Sequence, residues 1–151
     1  MIESGEGALL LSSEWFGVGV RMNRVLVIDD DPMVRNVVAE GVTYGDRFLA
    51  VKGATGDDLA RFLAAHDDVV AVVCDQRLVG ETGIDVHARV EPTLRARNIA
   101  FFLLHGFGGN LRAEYPDGYL EERQIVELRK PLRSILELPG IIDEEVRRMR
   151  G

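Results

Sequence analysis

VLVIDDDP, residues 25–32, is the segment from which the fold of this chain can be predicted. Its four aliphatic residues, 25–28, are typical of a β-strand that is buried on both faces of a sheet. Asp29, Asp30 and Asp31 place three carboxyl groups after the strand, and the proline that follows them suits the first turn of a helix. Crowded carboxylates resist joint ionisation unless a divalent cation or a basic side chain compensates them. The segment therefore predicts a buried strand with an acidic site at its carboxyl end.

Length, charge and cysteine content limit the class of protein. The 151 residues are 46% hydrophobic, which is enough for one core, and nothing suggests a second. The net charge of -7, with basic residues scattered among acidic ones, argues against a nucleic-acid partner, because such partners need a concentrated positive surface. The single cysteine, Cys74, lies in an apolar run and predicts a small core residue. It allows no internal disulfide or cysteine metal site, which favours a reducing, cytoplasmic location.

The first residues differ in character from the rest of the chain. No apolar run has the length of a membrane span, and Glu3, Glu6 and Glu14 stand where a signal peptide would carry basic residues. We therefore expect a soluble protein without a membrane partner. Residues 1–23 mix glycines with apolar residues and have no sustained periodicity. We expect them to be an extension, disordered or loosely docked, to a single domain over residues 24–151.

Strand and helix patterns alternate along the remaining chain. Further apolar runs at 48–51, 69–74, 99–104 and 124–128 predict four more strands. Helices are predicted from Pro32 to about Gly45, after Thr55, across residues 84–94 with an interruption or kink near Pro92, and from about 139 or 143 to 149. The stretch 107–120 contains too many glycines and prolines for a regular helix, so we expect a short or irregular element. This alternation predicts an α/β fold with a five-stranded parallel sheet and helices on both faces.

Three of these strands end in charged residues. Asp29 and Asp30 follow the first strand, Asp75 follows the third, and Lys130 follows the fifth. Ligands of open parallel sheets bind beyond the carboxyl ends of the strands. The joint placement of these residues predicts a functional site at one edge of the sheet, although each residue alone would be an ordinary turn or surface residue.

In this pattern the chain resembles the receiver domain of two-component response regulators, the CheY-like superfamily, over roughly residues 24–150. The acidic pair, Asp75 and Lys130-Pro131 match in position, and their separations of 46 and 55 residues are compatible with the family. The loop from Asp75 to Gly83 is also similar, although Val79 stands where proline is common. The resemblance implies a flavodoxin-like sheet with strand order 2-1-3-4-5. It also implies a cis peptide bond between Lys130 and Pro131.

The resemblance implies phosphoryl chemistry at this site. Asp75 would accept a phosphoryl group from a histidine kinase or a histidine phosphotransfer protein, in a phosphorelay that depends on magnesium. Asp29, Asp30, Asp75 and the backbone carbonyl of Arg77 would hold Mg²⁺, which prefers oxygen ligands. Lys130 would contact a phosphoryl oxygen.

The same resemblance implies a signalling protein. The domain would catalyse only its own phosphorylation and dephosphorylation, so it would not be an enzyme acting on other substrates. As a single-domain regulator it would signal by binding a downstream protein; the alternative is that the chain is a fragment of a longer regulator. A homodimer is one arrangement open to it.

Two positions differ from the family pattern. His105 follows the fourth strand, where receivers usually carry a serine or threonine that moves to the phosphoryl group. Imidazole can donate a hydrogen bond but is larger, and it titrates near neutral pH. Glu127 stands where receivers usually have an aromatic residue, and burying a carboxylate there requires a partner. We expect these differences to alter switching while leaving the phosphorylation site intact, with Gly106 keeping the approach to Asp75 open.

The sequence leaves two other functions open. A pseudo-receiver would share the fold but act as an interaction module without phosphorylation, and His105 and Glu127 favour this reading. A small phosphatase of the haloacid-dehalogenase type is the other, because the segment after the first strand also resembles its nucleophile motif. In that case Asp29 would attack phosphate and Asp31 would act as acid and base. Alternatively, the three consecutive aspartates only cap a helix, although one cap would suffice.

Overall fold

Thirteen regular elements follow one another in a computed structural model that describes residues 23–106, 111–130 and 135–151. The strands are β1 (Asn23–Ile28), β2 (Phe48–Gly53), β3 (Val69–Asp75), β4 (Arg77–Leu78), β5 (Glu81–Thr82), β6 (Ala100–His105) and β7 (Ile125–Arg129). The helices are α1 (Pro32–Thr43), α2 (Gly56–Ala65), α3 (Gly83–Arg97), α4 (Leu111–Glu114), α5 (Tyr119–Glu122) and α6 (Leu138–Arg150). Single 3₁₀ turns, Tyr44–Asp46 and Ile135–Glu137, follow α1 and precede α6.

Five of the strands form one parallel sheet in the order β2-β1-β3-β6-β7. Counting only the five predicted strands, this is the order 2-1-3-4-5, so the predicted α/β fold class and strand order are confirmed. The sequence did not predict β4 and β5, which pair antiparallel in a two-residue ribbon between β3 and α3. A ribbon this short has no periodicity that a sequence pattern could carry.

Apolar side chains cover both faces of the sheet because alternate residues of a strand point to opposite sides. All seven residues of β3 are buried, as expected for a central parallel strand. Helices α2 and α3 cover one face, and α1 and α6 cover the other. The first face buries Leu26, Ile28, Cys74, Phe101 and Leu103 with Leu59, Leu63, Ile84, Val90 and Leu94. The second buries Val25, Val27, Val73, Phe102 and Leu104 with Val38, Val42, Leu138 and Ile142.

Polar side chains fix where three helices begin, directly after strands or turns at the carboxyl edge of the sheet. Asp31 accepts hydrogen bonds from the N–H groups of Met33 and Val34 and so caps α1. Thr55 and Asp58 form a reciprocal capping box at the start of α2. Thr82 and Asp85 form a second one at the start of α3.

Helix α3 and the segments around it differ in detail from the sequence predictions. The helix continues through Pro92 instead of being interrupted there, because Val90 and Leu94 are buried on either side of the proline. In α1, valines recur at helical spacing at positions 34, 37, 38 and 42, and of these Val37 is 48% exposed. The expected short elements between β6 and β7 are confirmed as the four-residue helices α4 and α5.

Other sequence predictions fall outside the described part of the chain. The extension predicted for residues 1–23 falls almost entirely on residues 1–22, and the bond to Pro131 falls on residues 131–134. The division into an extension and a domain, and the cis bond, stay predictions. None of the helices in the described ranges is long and apolar enough to cross a membrane.

Candidate functional site

Three aspartates meet at the carboxyl edge of the sheet, and we call them the acidic cluster: Asp29, Asp30 and Asp75. Asp75 is the last residue of β3, and Asp29 follows β1, whose final residue pairs with the residue before Asp75. Parallel pairing therefore brings the two carboxyl groups side by side. One oxygen of each of the three side chains lies within 4.8 Å of the others. Asp29 and Asp75 are buried, and Asp30 is half-buried.

Lys130 brings the compensating positive charge to this cluster. It directly follows β7, and its backbone N–H donates a hydrogen bond of 2.7 Å to the carbonyl of His105. Its Nζ lies 3.0 Å from Asp75 Oδ1, while the side chain keeps 28% exposure. The sequence prediction that Lys130 and Asp75 come together is therefore realised in the geometry. One lysine faces three carboxyl groups.

The cluster leaves Asp29 incompletely compensated. Burial raises the pKa of its carboxyl group above 3.8, and repulsion from Asp75 and Asp30 acts in the same direction. The N–H of Asp31, which donates to Asp29 Oδ1 over 2.9 Å, and the charge of Lys130 oppose that rise. Oδ2 of Asp29 is buried and has no hydrogen-bond partner. A buried carboxylate oxygen in an all-oxygen donor set fits a hard divalent cation such as Mg²⁺, so the acidic cluster could hold one.

Gln76 fixes the loop that carries Asp75, a role that the sequence did not indicate. Its N–H donates to the carbonyl of Leu104, and its own carbonyl accepts the N–H of Gly83. Its side-chain Oε1 accepts the N–H of Ile84 over 3.2 Å. A Cβ atom added at Gly83 would lie 2.6 Å from the carbonyl oxygen of Asp75, so α3 starts in direct backbone contact with that residue. The Thr82-to-Asp85 capping box was the one sequence signal for this start.

His105 and Glu127 contact each other beside the cluster. His105 Nε2 lies 2.9 Å from Glu127 Oε2, with side-chain exposures of 5% and 19%. The angle of this approach is not that of a hydrogen bond, because neither ring nitrogen of His105 has a hydrogen-bond partner. These two positions, at which the sequence differs from receivers, are thus in contact, and His105 is one neighbour of the half-buried Glu127.

A cleft of about 560 Å³ opens beside these residues. Asp75, His105 and Lys130 line it, as do Gly106 and Arg77. Arg77 lies in β4 and is exposed. The prediction that its backbone carbonyl is a magnesium ligand stays a prediction. Since a phosphoryl group is small, the cleft has room for one at Asp75.

Three residues considered from the sequence lie apart from this chemistry. Asp31 is exposed and uses its carboxylate to cap α1, so it does not belong to the acidic cluster. Cys74 is fully buried, and burial raises the pKa of its thiol, so it is a core residue as predicted. His87 packs on α3 against Phe101, with ring centroids 4.8 Å apart. Within the described ranges, the acidic cluster is the one group of three or more potential metal ligands.

Comparison with known proteins identifies the fold. No protein-family model matches the chain, and no curated protein matches it. Solved structures do match. A response regulator receiver domain protein from Clostridium thermocellum matches with a TM-score of 0.70 at 18% identity, over 85% of this chain and 98% of its own. Receiver proteins from Pseudomonas putida (TM-score 0.65, 18% identity, 85% and 98% covered) and Sinorhizobium medicae (0.65, 20%, 85% and 97%) are similar.

At these sequence identities the likeness is one of fold. The chain has the fold of response regulator receiver domains over most of its length, which confirms the resemblance predicted from the strand-end residues. The receiver proteins from Pseudomonas putida and Clostridium thermocellum are covered to 98% of their length, so the match extends over the whole domain and not over one supersecondary unit.

Proposed function

We propose that the chain is a response regulator receiver that accepts a phosphoryl group on Asp75. One observation carries this proposal: in a receiver fold, Lys130 Nζ lies 3.0 Å from Asp75, which clusters with the carboxyl groups of Asp29 and Asp30. Asp75 is the member of the acidic cluster that both lines the open cleft and contacts the lysine. It is therefore the carboxylate that an incoming phosphoryl donor can reach.

The proposed reaction is a transfer between two side chains. An oxygen of Asp75 bonds to phosphorus as the bond from phosphorus to the donor's imidazole nitrogen breaks, and that nitrogen keeps the bonding electrons. The donor is a histidine kinase or a histidine phosphotransfer protein. Because the transition state is loose and highly charged, catalysis consists of positioning and charge neutralisation. Lys130 neutralises one phosphoryl oxygen, and the loop fixed by Gln76 holds the acceptor in place.

Magnesium would bind at the acidic cluster. Asp29 and Asp75 would hold it with Asp30, and the backbone carbonyl of Arg77 would be a further ligand. Bound there, Mg²⁺ would supply positive charge to the phosphoryl oxygens. The unpartnered Oδ2 of Asp29 supports this assignment, because the cation would satisfy a buried oxygen that the protein leaves without a partner.

The output would be a protein–protein interaction. Phosphorylation adds close to two negative charges and three acceptor oxygens at the edge of the sheet. The downstream partner would recognise the surface that this change rearranges. Domains of this kind catalyse only reactions of their own phosphoryl group, so no turnover of another substrate is proposed.

Intact-mass spectrometry after incubation with acetyl phosphate and Mg²⁺ tests the proposal. We expect one phosphoryl adduct in the wild type that requires Mg²⁺ and is absent from Asp75→Asn. Asp57→Asn is the matched control, because it makes the same change at an aspartate whose side chain is 93% exposed, at the start of α2. The control should be phosphorylated like the wild type.

The same experiment separates the two alternatives. A folded wild type without an adduct, and without a rise in melting temperature on adding Mg²⁺, would favour the pseudo-receiver, for which the His105–Glu127 contact is the supporting observation. A phosphatase would turn over phosphate esters and lose activity in Asp29→Asn but not in Asp75→Asn. The capping role of Asp31 speaks against that function, because its carboxylate is committed to the N-terminus of α1.

A further inference from the structure

The His105–Glu127 pair occupies the same edge of the sheet as the acidic cluster but lies on the other face. Glu127 pairs with Leu103 across β6 and β7, and His105 stands two residues after Leu103 in the same strand. Since side chains alternate, His105 and Glu127 share the face of Leu103, which α2 and α3 cover. Asp75 pairs with Leu104, whose side chain belongs to the opposite face. The imidazole is thus turned toward Glu127.

His105 is nonetheless available for another acceptor. It is 5% exposed, neither ring nitrogen forms a hydrogen bond, and its contact with Glu127 is close but misaligned. It also lines the cleft that holds Asp75 and Lys130, and its carbonyl accepts the N–H of Lys130. A buried imidazole without a hydrogen bond is a costly arrangement, and a better acceptor within reach would relieve that cost.

We propose that Glu127 and a phosphoryl group on Asp75 compete for His105. This inference rests on the proposed function, because it needs a phosphoryl group at Asp75. In the unphosphorylated protein Glu127 restrains the ring on its own side of β6. A phosphoryl group at Asp75 offers three strong acceptor oxygens, and the ring turns to donate to one of them. Glu127 is then a positioning residue that acts through His105 and opposes phosphorylation.

Competition and cooperation predict opposite effects of removing Glu127. If the phosphoryl group and Glu127 bound different nitrogens of one fixed ring, the carboxylate would hold His105 in place, and its removal would weaken phosphoryl binding. The faces favour competition, because the ring lies on the side of Glu127. Asp75 pairs with Leu104, and Lys130 stands two residues after Leu128, and both leucines belong to the other face. The ring therefore has to leave Glu127 to serve the phosphoryl group.

The test measures the affinity of the full chain for beryllofluoride in the presence of Mg²⁺, followed by fluorine NMR. Beryllofluoride is the probe because it resembles a bound phosphoryl group and is not transferred onward. We expect Glu127→Gln to bind it roughly 5- to 10-fold more tightly than the wild type, and His105→Asn to bind it more weakly by a similar factor. In the His105→Asn background, Glu127→Gln should change the affinity by less than about 2-fold.

Two controls guard this interpretation. Glu145→Gln removes a negative charge from α6, where Glu145 binds Arg148 and its helix covers the face opposite to the pair, and it should leave the affinity unchanged. Since His105→Asn could unfold the chain, nitrogen NMR of the His105 ring in the wild type provides a measurement without that variant. Its resonances should shift when beryllofluoride binds, because the ring changes partner.

Each outcome of these measurements supports or refutes the competition for His105. A wild type that binds no beryllofluoride at any Mg²⁺ concentration would refute the proposed function, and the competition with it. A wild type that binds while Glu127→Gln binds equally or more weakly would refute the competition alone. So would an affinity gain that persists without His105, because the gain would then reflect only the lost negative charge. Unchanged His105 resonances on binding would also overturn it.

Discussion

Two regions at the same edge of the sheet differ in how their charges are balanced. In the acidic cluster, one lysine faces three carboxyl groups, and Oδ2 of Asp29 is buried without a hydrogen-bond partner. In the His105–Glu127 pair, one imidazole faces one carboxylate at 2.9 Å. The first region is therefore incomplete until a cation and an anion arrive. In the second region, two groups already contact each other, and that contact has to open before either can bind a ligand.

This difference separates binding from switching. Unbalanced buried charge is a cost to the folded protein that a ligand of opposite charge removes, so the acidic cluster is built to bind. The His105–Glu127 pair responds to a ligand only if the ligand offers one of its members a better partner. On this view the strength of phosphoryl binding depends on the cluster, and the pair adjusts it by a smaller factor.

The largest expected effect is the loss of Lys130. We expect Lys130→Ala to slow phosphorylation of Asp75 by acetyl phosphate roughly 10²- to 10³-fold, which is the usual cost of removing one group that stabilises transition-state charge. Time-resolved intact-mass spectrometry gives the rate. Loss of Lys130 removes the positive charge that lies 3.0 Å from the acceptor.

Lys52→Ala is the matched control, because the chain has no other lysine. Lys52 is exposed, and its Nζ donates a hydrogen bond to the side-chain oxygen of Asn36 in α1. Its loss should leave the rate within about 2-fold of the wild type. Equal effects at the two lysines would mean that general charge, and not contact with Asp75, governs the reaction, and the comparison between the two regions would lose its basis.

Gly83→Ala should have the next largest effect, through the backbone that supports the cluster. A Cβ atom there would meet the carbonyl oxygen of Asp75 and the side chain of Leu103, both at 2.6 Å. We expect a loss of about 1–3 kcal/mol in the free energy of unfolding, measured by urea denaturation. Gly140→Ala in α6 is the control, because no atom lies within 4 Å of its Cβ position and alanine favours helix, so it should stabilise by up to about 1 kcal/mol. Equal stabilisation by both substitutions would contradict the close approach.

The sequence predicted the acidic cluster better than it predicted the side-chain contacts around that cluster. Buried strands leave continuous aliphatic runs, and each run ends at a charged residue, so Asp29, Asp75 and Lys130 could be assigned to one edge once the sheet was parallel. The contact between His105 and Glu127 could not be predicted, because it depends on the register of β6 with β7 and on side-chain rotamers. The role of Gln76 was equally hidden, since it depends on hydrogen bonds to backbone groups that local sequence does not specify.

The pH dependence of stability tests whether the acidic cluster lacks a compensating positive charge. The pKa of Asp29 is raised in the folded state, first by burial and then by Asp75 and Asp30. Its protonated form is therefore favoured on folding. Without divalent cations, this contribution to stability is present below the unfolded pKa of about 3.8 and is lost as the pH rises through the folded pKa.

We expect Asp29→Asn to abolish this loss, so that without cations the variant melts at a higher temperature than the wild type at pH 7. Adding Mg²⁺ should raise the melting temperature of the wild type and have less effect on the variant. Thermal melts of the wild type and the variant, each with and without Mg²⁺ at pH values from 4 to 7, give the melting temperatures to compare. A variant that melts below the wild type without cations would mean that the carboxylate is already compensated within the protein.

The smallest expected effect is that of Glu127→Gln on stability, and its size distinguishes a switch from a structural ion pair. Because the contact with His105 is misaligned, we expect a loss of only about 1–1.5 kcal/mol in the free energy of unfolding, the size that a 5- to 10-fold gain in affinity by competition requires. A buried pair that held the fold together would instead cost about 3–5 kcal/mol when one partner is removed. Urea denaturation of Glu127→Gln beside the wild type, at one pH and without Mg²⁺, measures the difference. A small change in stability together with a clear change in beryllofluoride affinity would mean that the pair adjusts binding at the acidic cluster. A large loss of stability would mean that the pair is a structural ion pair of the core.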